Sequence, residues 1–166
     1  LPVVYIHLMA ADIPWYYRTG ARHFHYMHAP VANLGTRTLT HWQMARMLWD
    51  PQADLETLLA DYFAGRYGAA ADPMRRFYNQ LRLGLGNLTE IRYGLQQRLN
   101  RGATDLFPTE HLRLETHAPA DNDGPDWPQI LEALGRARRL IDAVRAGDLA
   151  PGVAARIAED EALFAY

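Results

Sequence analysis

The stretch DLETLLADYFAGRYG, residues 54–68, decides how the chain folds, because it contains an amphipathic helix with both ends marked. Asp54 offers a side-chain oxygen that can accept hydrogen bonds from the N–H groups of a first helical turn. Gly68 is suited to ending the helix. The sequence therefore predicts a helix that packs one face against a core. The apolar stripe of that face consists of Leu55, Leu58, Leu59, Tyr62, Phe63 and Tyr67.

Helical periodicity continues on both sides of this segment. Before it, Thr40 and Gln43 have capping-box spacing, which predicts the start of a helix. Trp49-Asp50-Pro51 predicts the end of that helix, because a residue before proline avoids the α region. Four further elements are predicted: a helix over 74–99, a loop over 116–128, a helix with apolar Ile130, Leu134, Ala137, Ile141 and Val144 that Gly147 ends, and a helix from near Pro151 to Phe164.

The first 28 residues have a different pattern. The runs VVYIHLM (3–9) and ARHFHYMH (21–28) each predict a strand. Between them Asp12 suits a cap, Pro14 a first turn and Gly20 a helix end. A strand, a helix and a strand are typical of a parallel sheet, but two strands are too few for a stable sheet.

The predicted fold class is therefore mainly α, with two β/α units from the C-terminal end of a (β/α)8 (TIM) barrel that lead into a helical bundle. We expect residues 1–50 to hold these last β/α units and residues 51–166 to form a C-terminal helical region. Both chain ends interrupt an apolar pattern, so we expect the chain to be a fragment of a longer protein.

Composition excludes several kinds of chemistry. The 166 residues contain no cysteine, serine or lysine, which excludes thiol and serine nucleophiles, zinc–thiolate sites and lysine Schiff bases. A net charge of −2 creates no field for nucleic acid, and we predict no nucleic-acid partner. No apolar run approaches the ~18–20 residues of a membrane span, so none is predicted. The basic cluster RARR, residues 136–139, is predicted to lie on a solvated helix face.

A longer stretch, residues 41–78, resembles a family of bacterial carbohydrate-active proteins that carry the domain of unknown function numbered 4838 (DUF4838), part of which is glycoside hydrolase family 163. The resemblance rests on Leu48-Trp49-Asp50-Pro51, on the acidic helix over 54–63, and on Tyr67-Gly68-Ala69-Ala70-Ala71. It is best over residues 12–80. Related segments close the barrels of hexosaminidase-like and α-glucuronidase-like enzymes.

This resemblance implies an N-acetylglucosaminidase-like reaction on glycans, in which the substrate's acetamido oxygen acts as nucleophile and a protein carboxylic acid donates the proton. Family members place that acid on a middle barrel strand, upstream of Leu1, so no catalytic residue is assigned here. We expect the 166 residues alone to be inactive and to need no cofactor. The resemblance also implies a bacterial, extracytoplasmic location and a glycan partner bound through the parent protein.

Four residues are candidates for lining a sugar pocket. Tyr26, His28 and Asn33 lie at or after the C-terminal end of the second predicted strand, where barrel sites are found, and Trp15 follows the first strand. The alternative for all four is packing in the barrel. His23 and His25 share one strand face and, with His7, are a weaker candidate for a metal site in a metal-dependent hydrolase.

Two functional interpretations remain beside that weaker metal hydrolase. In the first, the chain completes the barrel of a glycoside-hydrolase-like protein and lines its sugar pocket. In the second, it is a non-catalytic helical interaction or scaffold module attached to a carbohydrate-active protein. The carboxylates at 50, 54, 56 and 61 are spaced like acid/base candidates, but helix capping and the helix dipole explain the first three.

Overall fold

The computed structural model describes residues 6–24, 35, 37–85 and 127–165, and these ranges are helical apart from short connections. The helices are α1 (Ile6–Arg18), α2 (Arg37–Trp49), α3 (Leu55–Tyr67), α4 (Ala71–Leu85), α5 (Trp127–Arg145) and α6 (Pro151–Ala165), with a 3₁₀ turn at Gly68–Ala70 between α3 and α4.

The core lies between α3 and α4 and is completed by α5 and α6. Helix α4 packs along α5, while α3 contacts α2, α4 and α6. Aromatic rings fill the centre: the Phe63 ring lies 5.3 Å from that of Tyr78 and 5.9 Å from that of Tyr67. Burying such rings removes large apolar areas from water, which is the main favourable term in folding.

A glycine permits the close approach of α4 and α5. A Cβ atom added to Gly84 would lie 3.0 Å from Leu134 Cδ2 and 3.5 Å from Ala133 Cβ. An alanine at residue 84 would therefore require the Leu134 side chain, or α5 with it, to shift by a few tenths of an ångström. The contact places the exposed side chains of both helices along one shared groove.

The predictions for α3 are confirmed at both ends. Asp54 Oδ2 accepts hydrogen bonds from the Thr57 N–H at 2.8 Å and from the Thr57 hydroxyl at 2.9 Å. Gly68 has φ +54°, a left-handed conformation that an L-residue rarely adopts, and it ends the helix. The predicted end of α2 at Trp49, the start of α6 at Pro151 and the helix over residues 130–144 are also confirmed.

The predicted strand over residues 3–9 is wrong in its described part. Ile6–Met9 form the first turn of α1, which continues through Pro14 to Arg18. Leu8, Met9 and the two following alanines favour a helix, and this preference outweighs the short β-branched run before them. Asp12 and Pro14 consequently lie inside a helix instead of capping a new one.

The predicted TIM-barrel units are wrong for the same part of the chain. Residues 21–24 are exposed and have no regular structure, and the rest of the second predicted strand lies outside the described residues. Within the described ranges there is no strand, so the fold class is all-α there and the described part of residues 1–50 supplies no β/α unit. The division at residue 50 between two regions stays a prediction.

Smaller corrections concern helix starts. Helix α2 begins at Arg37, so Thr40 and Gln43 lie inside the helix and form no capping box. The Gln43 side chain is instead buried, and its Nε2 donates a hydrogen bond to the Ile6 carbonyl oxygen at 2.8 Å. Helix α4 begins at Ala71, and residues 86–99 of the long predicted helix lie outside the described residues. Helix α5 includes 127–128, the last two residues of the predicted loop.

Candidate functional site

A carboxylate lies in the core where α6 crosses α3 and α4. Asp160 of α6 has no solvent-exposed surface. Its Oδ2 accepts a hydrogen bond from the Tyr67 hydroxyl at 2.5 Å, and its Oδ1 accepts one from the Tyr78 hydroxyl at 3.2 Å. The two hydroxyl oxygens are 3.0 Å apart. Together with Arg66, these three residues are called the Asp160 cluster below.

Arg66 brings a positive charge to the edge of the cluster. Its Nη2 lies 3.8 Å from Asp160 Oδ1 and 3.2 Å from Oε2 of the exposed Glu159. Its Nε donates to the Tyr67 hydroxyl at 3.1 Å, and its carbonyl oxygen accepts from Arg156 Nη1 at 2.8 Å. The C-terminal end of α3 is thus fixed to α6 by both charge and hydrogen bonds.

Burial controls the protonation of the cluster. Loss of hydration raises the pKa of Asp160 to about 6, although the hydrogen bond from Tyr67 and the charge of Arg66 oppose this rise. Burial also raises the pKa of Tyr67 and that of Tyr78 above the ordinary tyrosine range. Both phenols therefore remain neutral hydrogen-bond donors at physiological pH, while Asp160 changes charge in mildly acidic solution.

The cluster is arranged to hold helices together. A general acid or base must reach its substrate at hydrogen-bond distance, directly or through one water. Asp160 is sealed by the helices that supply its partners, so in this conformation its oxygens are directed to Tyr67 and Tyr78. The arrangement links α3, α4 and α6 through one carboxylate.

Sequence reasoning missed Asp160, although its position offers a signal. Ile157, Asp160 and Phe164 are spaced three and four residues apart, so they share one face of α6. Ile157 is fully buried and Phe164 packs against the core. A carboxylate on that apolar face indicates a buried polar contact. Tyr67 belongs to the predicted apolar stripe of α3, and its hydroxyl group and that of Tyr78 are the partners of this carboxylate.

Of the four predicted sugar-contact residues, the structure describes only Trp15. It lies on α1 and is 53% exposed, with its ring edge-on to that of Tyr16 at 5.1 Å. Tyr26, His28 and Asn33 lie outside the described residues.

The weaker hypothesis, a metal site at His7, His23 and His25, required two neighbouring strands, and the structure has no strand at His7 or His23. His7 lies on α1 instead of a neighbouring strand, His23 is exposed beyond the end of that helix, and His25 lies outside the described residues. In the part of the chain that the structure describes, no three potential metal-ligating side chains are grouped as a metal ion requires.

The charged residues singled out in the sequence have structural contacts. Asp54 caps α3, Glu56 pairs with Arg75, and Asp50 Oδ1 accepts from the Gln52 N–H at 3.0 Å. Within RARR, Arg138 Nη1 lies 3.0 Å from Glu161 Oε1. Arg136 and Arg139 are exposed, which agrees with the solvated face predicted for this cluster.

Comparison with known proteins identifies the N-terminal part of the chain. Residues 1–80 match the family model described as a domain of unknown function, DUF4838, as the resemblance predicts. No curated protein and no solved structure matches the chain. Among the helices in the described ranges, none has both the length and the apolar character needed to cross a bilayer.

Proposed function

Residues 1–80 belong to the DUF4838 family, and from this premise we propose that the chain is a non-catalytic helical support module of a glycoside-hydrolase-like protein. In this proposal it stabilises the parent protein by packing and does not provide the acid that cleaves a glycosidic bond. The parent acts on glycans with an N-acetylglucosaminidase-like reaction, outside the cytoplasm of a bacterium. These properties of the parent rest on the resemblance of residues 41–78.

The proposal is supported by the position of the side chains that could transfer a proton, because they are buried in contacts between helices. Asp160, Tyr67 and Tyr78 would suit proton transfer in an open cleft, yet here each is buried and bonded to the others. They come from three helices, so each hydrogen bond is also a tertiary link. Such a network favours one packing of the helices, because a partly satisfied buried network is costly.

The test compares turnover and stability in the same variants. The 166-residue chain is expected to give no hydrolysis of a fluorogenic N-acetylglucosaminide above a heat-treated sample. In the full-length parent, Tyr78→Phe is expected to lower the unfolding temperature and leave kcat/KM unchanged at a temperature where both proteins are folded. Turnover by the chain alone that Asp160→Asn abolishes would contradict the proposal.

One observation keeps the sugar-contact interpretation as a second candidate. Trp15 is large and half-exposed, and an indole face is a good surface for a pyranose ring. In this version the module also contributes an aromatic contact to the parent's glycan site. Trp15→Ala should then weaken glycan binding by the parent, whereas Trp49→Ala, which removes a more exposed tryptophan from α2, should not.

A further inference from the structure

A groove between α4 and α5 has a concentration of arginine that the support function does not use. Its volume is about 560 Å³, and it is lined by Arg76, Asn79, Gln80, Arg136, Arg139 and Leu140. The lining residues include three arginines and two amide residues, and none of them is acidic. The chain as a whole is slightly acidic, with a net charge of −2, so this positive groove is a local feature.

Helical spacing explains why these side chains converge. Arg76 and Gln80 are four residues apart on α4, and Arg136 and Arg139 are three apart on α5, so each pair shares one helix face. The close packing at Gly84 brings the two helices together. Arg136 Nε donates to Gln80 Oε1 at 3.2 Å, which joins the two rows across the groove.

The three arginines are not equally neutralised. Arg136 Nη1 lies 2.9 Å from Oε1 of Glu132, one turn earlier on α5. Arg76 and Arg139 form no ion pair with any acidic side chain in the described ranges. These two arginines belong to different helices, Arg76 to α4 and Arg139 to α5, and both contribute to the lining of the groove.

We propose that this groove binds a tetrahedral oxyanion, a phosphate or sulfate group, between Arg76 and Arg139. A guanidinium group donates two parallel hydrogen bonds to such a group, and a tetrahedral anion has enough oxygens to accept from two arginines at once. The amide groups of Asn79 and Gln80 provide neutral donors beside them. This inference is independent of the proposed support function.

The test is an NMR titration of the 166-residue chain that follows arginine Nε–H signals while sodium phosphate replaces sodium chloride at constant ionic strength. Saturable shifts of groove signals are expected, with a dissociation constant on the order of 1 mM. Arg76→Gln and Arg139→Gln should each weaken binding about tenfold, because each removes one guanidinium group and its pair of hydrogen bonds to the anion. Both side chains are exposed, so neither change disturbs the core.

Arg18→Gln is the matched control, because it removes the same charge from an exposed position on α1. It should leave phosphate binding unchanged. Titration with sulfate should shift the same signals as phosphate, and acetate, which is planar and singly charged, should not saturate them. The proposal is overturned if phosphate gives no saturation, if Arg18→Gln weakens binding as much as Arg139→Gln, or if acetate binds equally well.

Discussion

The pH dependence of stability should report the buried charge of Asp160 directly. Burial raises the pKa of Asp160 to about 6, from about 3.9 for an aspartate in an unfolded chain. The native state therefore binds the proton of the Asp160 carboxyl group more tightly than the unfolded chain does. The free energy of unfolding consequently falls as the pH rises from about 4 to about 6. This rise in pKa corresponds to about 3 kcal/mol of stability, which is lost between about pH 4 and 6.

Urea unfolding followed by circular dichroism can measure this term. Between about pH 4.5 and 7.5, the free energy of unfolding of the wild type should fall by about 2 kcal/mol relative to that of Asp160→Asn, which cannot ionise. Glu132→Gln is the matched control: it removes an exposed carboxylate of α5 that lies outside the Asp160 cluster, and its stability should follow the wild-type pH profile. Parallel profiles for wild type and Asp160→Asn would refute the assignment of a buried, ionisable Asp160.

Two further predictions concern packing and hydrogen bonding, and both are checked by the midpoint of chemical unfolding. Gly65→Ala, on an open face of α3, should raise the free energy of unfolding by up to about 1 kcal/mol. Gly84→Ala should raise it less or lower it, because its Cβ would lie 3.0 Å from Leu134 Cδ2 and force that side chain to shift. Tyr78→Phe should lower the free energy of unfolding by about 1–2 kcal/mol, because it removes a hydrogen bond to a buried carboxylate. Tyr62→Phe should lower it less, because the Tyr62 hydroxyl has no hydrogen-bond partner among the described residues. Equal effects within either pair would contradict the reasoning.

The helices were predictable from sequence where local signals agree. For α3, the cap at Asp54, the apolar stripe and Gly68 all indicate the same element, and the structure has it at those bounds. The apolar positions of α5 and α6 also identify their buried faces, since Ala137, Ile141 and Ile157 are fully buried. Such segments are reliable because capping, periodicity and burial are properties of neighbouring residues.

The first helix and the Asp160 cluster were missed for different physical reasons. Around Ile6 a short apolar run is compatible with a strand or a helix, and the alanines that follow it favour the helix that the structure has. The cluster joins Tyr67 to Asp160, 93 residues away along the chain. A hydrogen bond at that separation depends on tertiary packing, which periodicity within one helix does not specify.

A double-mutant cycle between Tyr67 and Asp160 tests most directly whether the buried cluster couples α6 to α3. Tyr67→Phe, Asp160→Asn and the double variant would be unfolded in urea at about pH 7.5, where the Asp160 carboxylate is ionised. The 2.5 Å hydrogen bond between the two side chains predicts a coupling free energy of at least about 1.5 kcal/mol. Additivity to within about 0.5 kcal/mol would contradict a cluster that holds these helices together.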